Sequence, residues 1–131
     1  MIVLDASAAV ELLLNTALGR HVAQRITDPG LALHAPQLLD LEVAQALRRY
    51  VAAGTIDPER GRQALERLGD LGVVRWDHEP LLPRVWELRH NLTAYDAAYA
   101  ALAEALGAVL LTADRRLAGA PGVGALVEMV S

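Results

Sequence analysis

The chain has 131 residues, 53% of them hydrophobic, with no cysteine, no lysine and a formal net charge of −4. The missing cysteine excludes disulfides, thiolate metal sites and Cys nucleophiles, and the missing lysine excludes P-loop, Schiff-base and Lys general-base chemistry. An acidic total provides no long-range attraction for nucleic acid, so any such contact must come from local clusters among the 12 arginines.

The length suits one domain, residues 1–131, with a sizeable core. No apolar run approaches the ~20 residues of a membrane span, and Glu11 interrupts the most apolar part of the start. There is no basic start followed by an apolar run and a cleavage site. The expectation is a soluble, cytoplasmic domain with no membrane partner. The high apolar fraction predicts that a partner or a second copy covers part of its surface.

Ile2, Val3 and Leu4 form an apolar run suited to a strand buried on both faces of a parallel sheet. Asp5 follows at once, at the strand's carboxyl end, where open α/β sheets place their ligands. Ser7 is read as the N-cap of a first helix, Ala8 to Asn15. Leu18, Val22 and Ile26 mark a second helix, stopped by Asp28-Pro29-Gly30. Leu31 to His34 reads as a short strand ending before Pro36. Gln37 to Ala53 reads as a long helix with Leu39, Val43, Leu47, Tyr50 and Val51 on one side and Gly54 at C′.

Asp57-Pro58 starts a helix that runs to Gly72. Val73 to Trp76 is a strand, and Pro80 to Leu88 a helix. Thr93 caps a helix carrying Tyr95, Tyr99, Leu102 and Leu106, ended by Gly107. Ala108 to Leu111 is a further buried strand with Thr112 and Asp114 at its end. A turn at Arg115-Arg116-Leu117 and a Gly/Pro loop lead to a last strand, Leu126 to Val130. Strands alternating with helices predict a three-layer α/β/α fold around a parallel sheet of four to five strands.

Four acids stand where such a fold can gather them. Asp5 and Asp114 follow strands; Asp96 lies in the first turn of its helix and Glu42 about one turn into another. Helix N-termini and strand C-termini share one edge of a parallel sheet, so the four can converge. Two like charges about 6 Å apart cost roughly 2–3 kcal/mol at an effective dielectric near 20. Six such pairs rival a domain's whole stability of ~5–15 kcal/mol. A converged cluster must take up protons or bind a cation. All-oxygen ligands favour Mg²⁺ or Mn²⁺, and the chemistry that follows is phosphodiester hydrolysis by metal-activated water.

Each acid also has a plainer role open to it. Asp96 can be the N3 partner of Thr93, Asp114 can start a turn, and Glu42 can be a solvated helix residue. Asp5 is hardest to explain so, because it ends a fully apolar strand. Ser7 and Thr112 are placed to fix Asp5 or Asp114 from behind. Arg115 and Arg116, beside Asp114, are candidates for phosphate contacts, whereas Arg48-Arg49 reads as a solvated pair. His21, His34, His78 and His90 show no metal spacing and read as surface or packing residues. Tyr50 and Tyr99 read as core, Trp76 and Trp86 as core or interface.

Met1-Ile-Val-Leu-Asp5-Ala-Ser7, Leu41-Glu42-Val-Ala44, Leu92-Thr-Ala-Tyr-Asp96-Ala-Ala-Tyr99 and Leu111-Thr-Ala-Asp114-Arg-Arg-Leu117 resemble the PIN-domain ribonucleases, and among them the VapC toxins of toxin–antitoxin pairs. The resemblance runs in order along essentially the whole chain. It implies an Mg²⁺- or Mn²⁺-dependent endoribonuclease acting on structured RNA such as tRNA or ribosomal RNA. It also implies a homodimer and a VapB-type antitoxin. Asp5, Glu42, Asp96 and Asp114 match the family's acids, Ser7 and Thr112 its small polar positions. Some PIN domains carry one more acid just after the last; Arg116 stands there instead, so a second ion lacks that ligand, and the number of ions, one or two, stays open. A haloacid-dehalogenase-like phosphatase needs a second Asp two residues after the first and a Lys. Position 7 is Ser7 and there is no Lys; a receiver domain fails on the same Lys. An inactive PIN-like module that binds only RNA or protein is the alternative from another class, and retention of all four acids argues against it.

Overall fold

The computed structural model describes residues 1–131. Five parallel strands form one sheet: β1 (Ile2–Leu4), β2 (Leu33–Pro36), β3 (Val74–Trp76), β4 (Val109–Thr112) and β5 (Val127–Met129), in the order β3-β2-β1-β4-β5. Seven α-helices flank it: α1 (Ala6–Leu13), α2 (Ala17–Arg25), α3 (Leu38–Ala52), α4 (Pro58–Asp70), α5 (Leu82–Glu87), α6 (Ala94–Leu106) and α7 (Arg115–Ala118). The expected α/β/α architecture is thus the observed one.

The strand order fixes where the site must be. From β1 the chain builds outward through β2 to β3, then returns to lay β4 on the other side of β1. The order therefore reverses between β1 and β4, and a crevice opens there at the carboxyl edge. Ile2, Val3 and Leu4 pair with Val109, Leu110 and Leu111, and all but Val109 are essentially inaccessible to solvent. Burial on both faces explains why these strands are unbroken apolar runs. The small residues of α6, from Ala97 to Ala103, let that helix lie closely across β1, β2 and β4. Gly107 ends it in the left-handed conformation (φ 61°) that glycine adopts without steric cost. A single cluster of 30 buried residues joins both sides of the sheet.

Several local expectations are corrected. The first helix begins at Ala6, because Asp5 itself caps it by accepting from Ala8 N; Ser7 lies inside the first turn. β2 starts two residues later than expected and ends on Pro36. Proline is tolerated there because the pairing with β1 ends at His34, so no partner awaits its missing N–H, while Gln37 N continues the ladder to β3 on Trp76 O. The Pro80 to Leu88 helix is a 3₁₀ turn, Glu79–Leu81, followed by α5. β4 extends to Thr112, which is fully buried, and β5 is the shorter Val127–Met129. Gln37 gives no side-chain cap to α3; His78 Nε2 accepts from Leu38 N at 3.0 Å and does that work from across the sheet edge. Trp76 and Trp86 are not core residues, with Trp86 68% exposed.

Candidate active site

Asp5 is the only buried acid in the molecule. Its side chain caps α1, so the chain turns from β1 into α1 around the carboxylate. Oδ1 accepts from Ser7 Oγ at 2.7 Å and from Ala8 N at 3.0 Å, and Oδ2 accepts from Thr112 Oγ1 at 2.5 Å. Thr112 Oγ1 in turn accepts from Asp114 N at 2.9 Å, and Ser7 Oγ from Ala113 N at 2.9 Å. Two hydroxyls thus tie the end of β1 to the end of β4 and fix the backbone that carries Asp114. Burial pushes the Asp5 carboxyl above its ordinary value; the bonds from Thr112, Ala8 and Ser7 pull the other way, and Asp96 adds repulsion.

Glu42 is the fifth residue of α3 and half-buried. Its Oε1 accepts from Tyr99 Oη at 2.7 Å. Desolvation raises the Glu42 carboxyl, the Tyr99 bond lowers it, and Asp96 and Asp5 raise it further. Asp96 occupies N3 of α6. The cap there is Thr93, whose hydroxyl accepts from Asp96 N at 3.2 Å. The Asp96 carboxyl is raised by burial first and by Asp114 second. Asp114 caps the short α7 by accepting from Arg116 N at 2.9 Å. The Arg116 guanidinium lies 3.5 Å from Asp114 Oδ2 with 89% of its side chain exposed. Such an exposed pair is worth ~0–1 kcal/mol and is easily exchanged for another anion.

All four acids line one cleft of about 360 Å³ at the switch point, together with Ser7, Arg116 and the hydroxyl-bearing Tyr99. Thr112 supports the floor from beneath. Arg115 does not line the cleft; successive side chains on a helix point about 100° apart, and only Arg116 stands at the rim. Three residues read otherwise from sequence do belong to it. Arg49 and Tyr50 form part of the wall, Tyr50 being 37% exposed instead of buried. Tyr99 is buried as a core residue should be, yet its hydroxyl reaches the cleft. Helical periodicity marks which side of α3 or α6 such a residue takes, but not how deep it sits. Of the histidines, His34 is buried, with Nδ1 accepting from Trp76 Nε1 at 3.0 Å, and none reaches the cleft.

The donor set is uniformly hard: carboxylate oxygens backed by hydroxyls, with no sulfur and no imidazole. In the arrangement the structure shows, no three of these side chains are gathered tightly enough to hold one ion. Asp5, Glu42 and Asp96 are nevertheless each disfavoured in the charged form, by burial first and then by a neighbouring carboxylate: Asp96 acts on Asp5, Asp96 and Asp5 on Glu42, and Asp114 on Asp96. A divalent cation relieves both causes at once, which is the chemical fit between this cleft and Mg²⁺ or Mn²⁺.

The PIN-domain family model matches residues 2–123, the stretch that contains strands β1 to β4 of the parallel sheet and all four acids. Ribonuclease VapC12 of Mycobacterium tuberculosis is 44% identical over 131 residues, all of both chains. Among solved structures, DNA-bound VapBC from Salmonella typhimurium superposes with a TM-score of 0.73 at 17% identity, covering 99% of this chain and 98% of that one. VapC20 of Mycobacterium tuberculosis, described as a sarcin-ricin loop cleaving toxin, gives 0.68 at 16%, covering 90% and 93%. At those identities the two structures bear on fold alone. The chain belongs to the PIN-domain family and, within it, to the VapC endoribonuclease toxins.

Proposed function

We propose that this VapC ribonuclease is metal-dependent, with Mg²⁺ or Mn²⁺ held by Asp5, Asp96, Asp114 and Glu42, and that it cuts structured RNA of the tRNA or ribosomal RNA class. The observation that carries the reading is the convergence of the four acids on one cleft at the sheet's switch point. When bound, the cation supplies the charge that makes water nucleophilic at neutral pH and offsets the charge growing on the phosphate. The chain's own residues do the rest. Ser7 and Thr112 hold both oxygens of Asp5, so this carboxylate enters the reaction already oriented. Glu42, raised by burial, would join the ligands or, from the same position, take the proton from the attacking water. The water oxygen bonds to phosphorus, the opposite P–O ester bond breaks, and solvent protonates the leaving oxygen. Arg116, weakly paired, turns to the phosphate.

Residues 1–131, built on one core, act as one domain. No helix is long and apolar enough to cross a membrane, and a cytoplasmic site of action agrees with an RNA substrate. A VapB-type antitoxin is the proposed partner, in keeping with the VapBC complex to which the fold is similar. A homodimer is proposed from the exposed apolar side chains Leu41, Leu82, Trp86 and Tyr95 on α3, α5 and α6. Sedimentation at micromolar concentration without antitoxin tests it, and a monomer refutes it.

The deciding experiment incubates purified protein with total RNA in Mg²⁺, Mn²⁺ or chelator and maps the new ends. Discrete ends that need the metal support the proposal. Cutting that persists in chelator removes the metal from it, and the absence of any cutting removes the activity.

A further inference from the structure

α3 carries more than Glu42 to the cleft. Ala46, Arg49 and Tyr50 follow at i+4, i+7 and i+8, the spacing that keeps side chains on one helix face, and all three line the cleft. From Glu42 to Tyr50 the helix rises about 12 Å. The wall beyond the acids therefore has its own chemistry. Val10 of α1 and Leu18 of α2 join Ala46 there as apolar surface. Tyr50 presents a partly exposed ring whose hydroxyl has no hydrogen-bond partner in the protein, in contrast to Tyr99. The Arg49 guanidinium beside it has no carboxylate partner. Glu11, the one acid of this wall, is engaged by the Thr16 hydroxyl.

An aromatic ring on an apolar wall, next to an unpaired guanidinium and one helix stripe away from the acidic floor, matches a flat ring carried on an anionic backbone. We propose that this wall is a nucleobase subsite: a base near the scissile phosphate packs against Tyr50, and Arg49 takes a neighbouring phosphate. The proposal rests on the ribonuclease reading of the same cleft and narrows its substrate. A cleft of about 360 Å³ lies at the small end of ligand sites. A base locked in a paired, stacked helix cannot enter it. A base reaches Tyr50 only when it is splayed out of its stack.

The test uses Tyr50→Ala and Tyr50→Phe in the full chain, with melting curves to confirm folding, and fluorescein-labelled single-stranded RNA bound in Ca²⁺. Abasic nucleotides are walked through every position of that RNA. Loss of one stacked base weakens binding by about ten- to a hundredfold. Tyr50→Ala should show that loss on intact RNA, while Tyr50→Phe stays within about twofold. One abasic position should cost the parent the same factor and cost Tyr50→Ala nothing further. The proposal is overturned if Tyr50→Ala binds as the parent does, or if abasic RNA weakens both proteins equally. It is also overturned if the variant loses antitoxin binding but keeps RNA binding, which makes the wall a protein-docking surface. The two readings fail separately. Metal-dependent cutting untouched by Tyr50→Ala sinks the subsite and leaves the nuclease. Coupling between Tyr50 and one base, in a protein that cuts nothing, does the reverse.

Discussion

The Tyr99 hydroxyl donates to Glu42 Oε1 at 2.7 Å, across 57 positions of sequence, and joins α6 to α3 at the floor of the cleft. Tyr99 is otherwise buried, so its ring belongs to the core and its oxygen to the site. Tyr99→Phe keeps the ring and deletes the one bond that orients Glu42. The folded variant should lose about 1.5–3 kcal/mol of stability, the usual size for a hydrogen bond to a charged group. Its RNA cleavage should fall about tenfold or more through kcat, with KM little changed. Parallel melting and steady-state cleavage measurements check both, and unchanged kcat refutes the positioning role.

Asp96 and Thr93 divide two tasks that the sequence leaves entangled. The cap is the Thr93 hydroxyl on Asp96 N, a contact that does not need the Asp96 side chain. Thr93→Ala should cost about 0.5–2 kcal/mol and leave the folded fraction cleaving RNA. Asp96→Ala should melt within that margin of the parent and cleave nothing. Reversed results would make Asp96 structural.

Asp5→Asn tests the strain of the acidic cleft. The Thr112 hydroxyl can turn to Ser7 Oγ, 3.2 Å away, and accept from an amide in place of donating to a carboxylate. The network therefore survives. In chelator the variant should melt no lower than the parent. Added Mg²⁺ or Mn²⁺ should stabilise the parent by about 2.7 kcal/mol at a hundredfold excess over Kd, and the variant much less. Equal response of both proteins to metal removes Asp5 from the ligand set.

The pH dependence has a definite sign. The Asp5 carboxyl is raised in the folded state above its ordinary 3.8. A raised group supports the fold fully below the unfolded value, and that support is lost as pH climbs through the folded value. The metal-free parent should therefore lose stability relative to Asp5→Asn as pH rises from about 3.8 toward neutrality. Denaturant titrations of both proteins in chelator across that window check it. A difference that shrinks with rising pH contradicts the assignment.

Gly19 offers a test of the scaffold. A Cβ built there lies 1.9 Å from the Glu11 carbonyl oxygen, a backbone atom that cannot swing aside. α2 approaches α1 this closely only because position 19 lacks a side chain. Gly19→Ala should cost at least the ~1–3 kcal/mol of an overpacked core, read as a lowered denaturation midpoint. A variant as stable as the parent shows that the two helices part easily.

The strands and their order of alternation with helices were legible because burial on both faces leaves unbroken apolar runs such as Ile2 to Leu4. The acids were legible because a charge directly after such a run, or three residues after Thr93, sits at a known edge. Other features depend on contacts remote in sequence. That Asp5 and not Ser7 caps α1 follows from Ser7 being drawn to Ala113 N. That His78 caps α3 follows from the pairing of β3 with β2. Tyr50 and Tyr99 read alike along their helices, yet one is in the cleft wall and the other beneath it.

The crevice needs β1 and β4 side by side, and Asp5 gains its last partner from a residue 107 positions later. A ribosome delivers Asp5 a full 107 positions before Thr112, the residue that completes its setting. Until Thr112 has emerged, Asp5 has no hydroxyl on its second oxygen and the switch point has only one side. Closing so long a loop is slow compared with forming any of the helices. A nascent chain that stops short of Thr112 therefore carries β1 and Asp5 but cannot close the crevice on which the four acids converge.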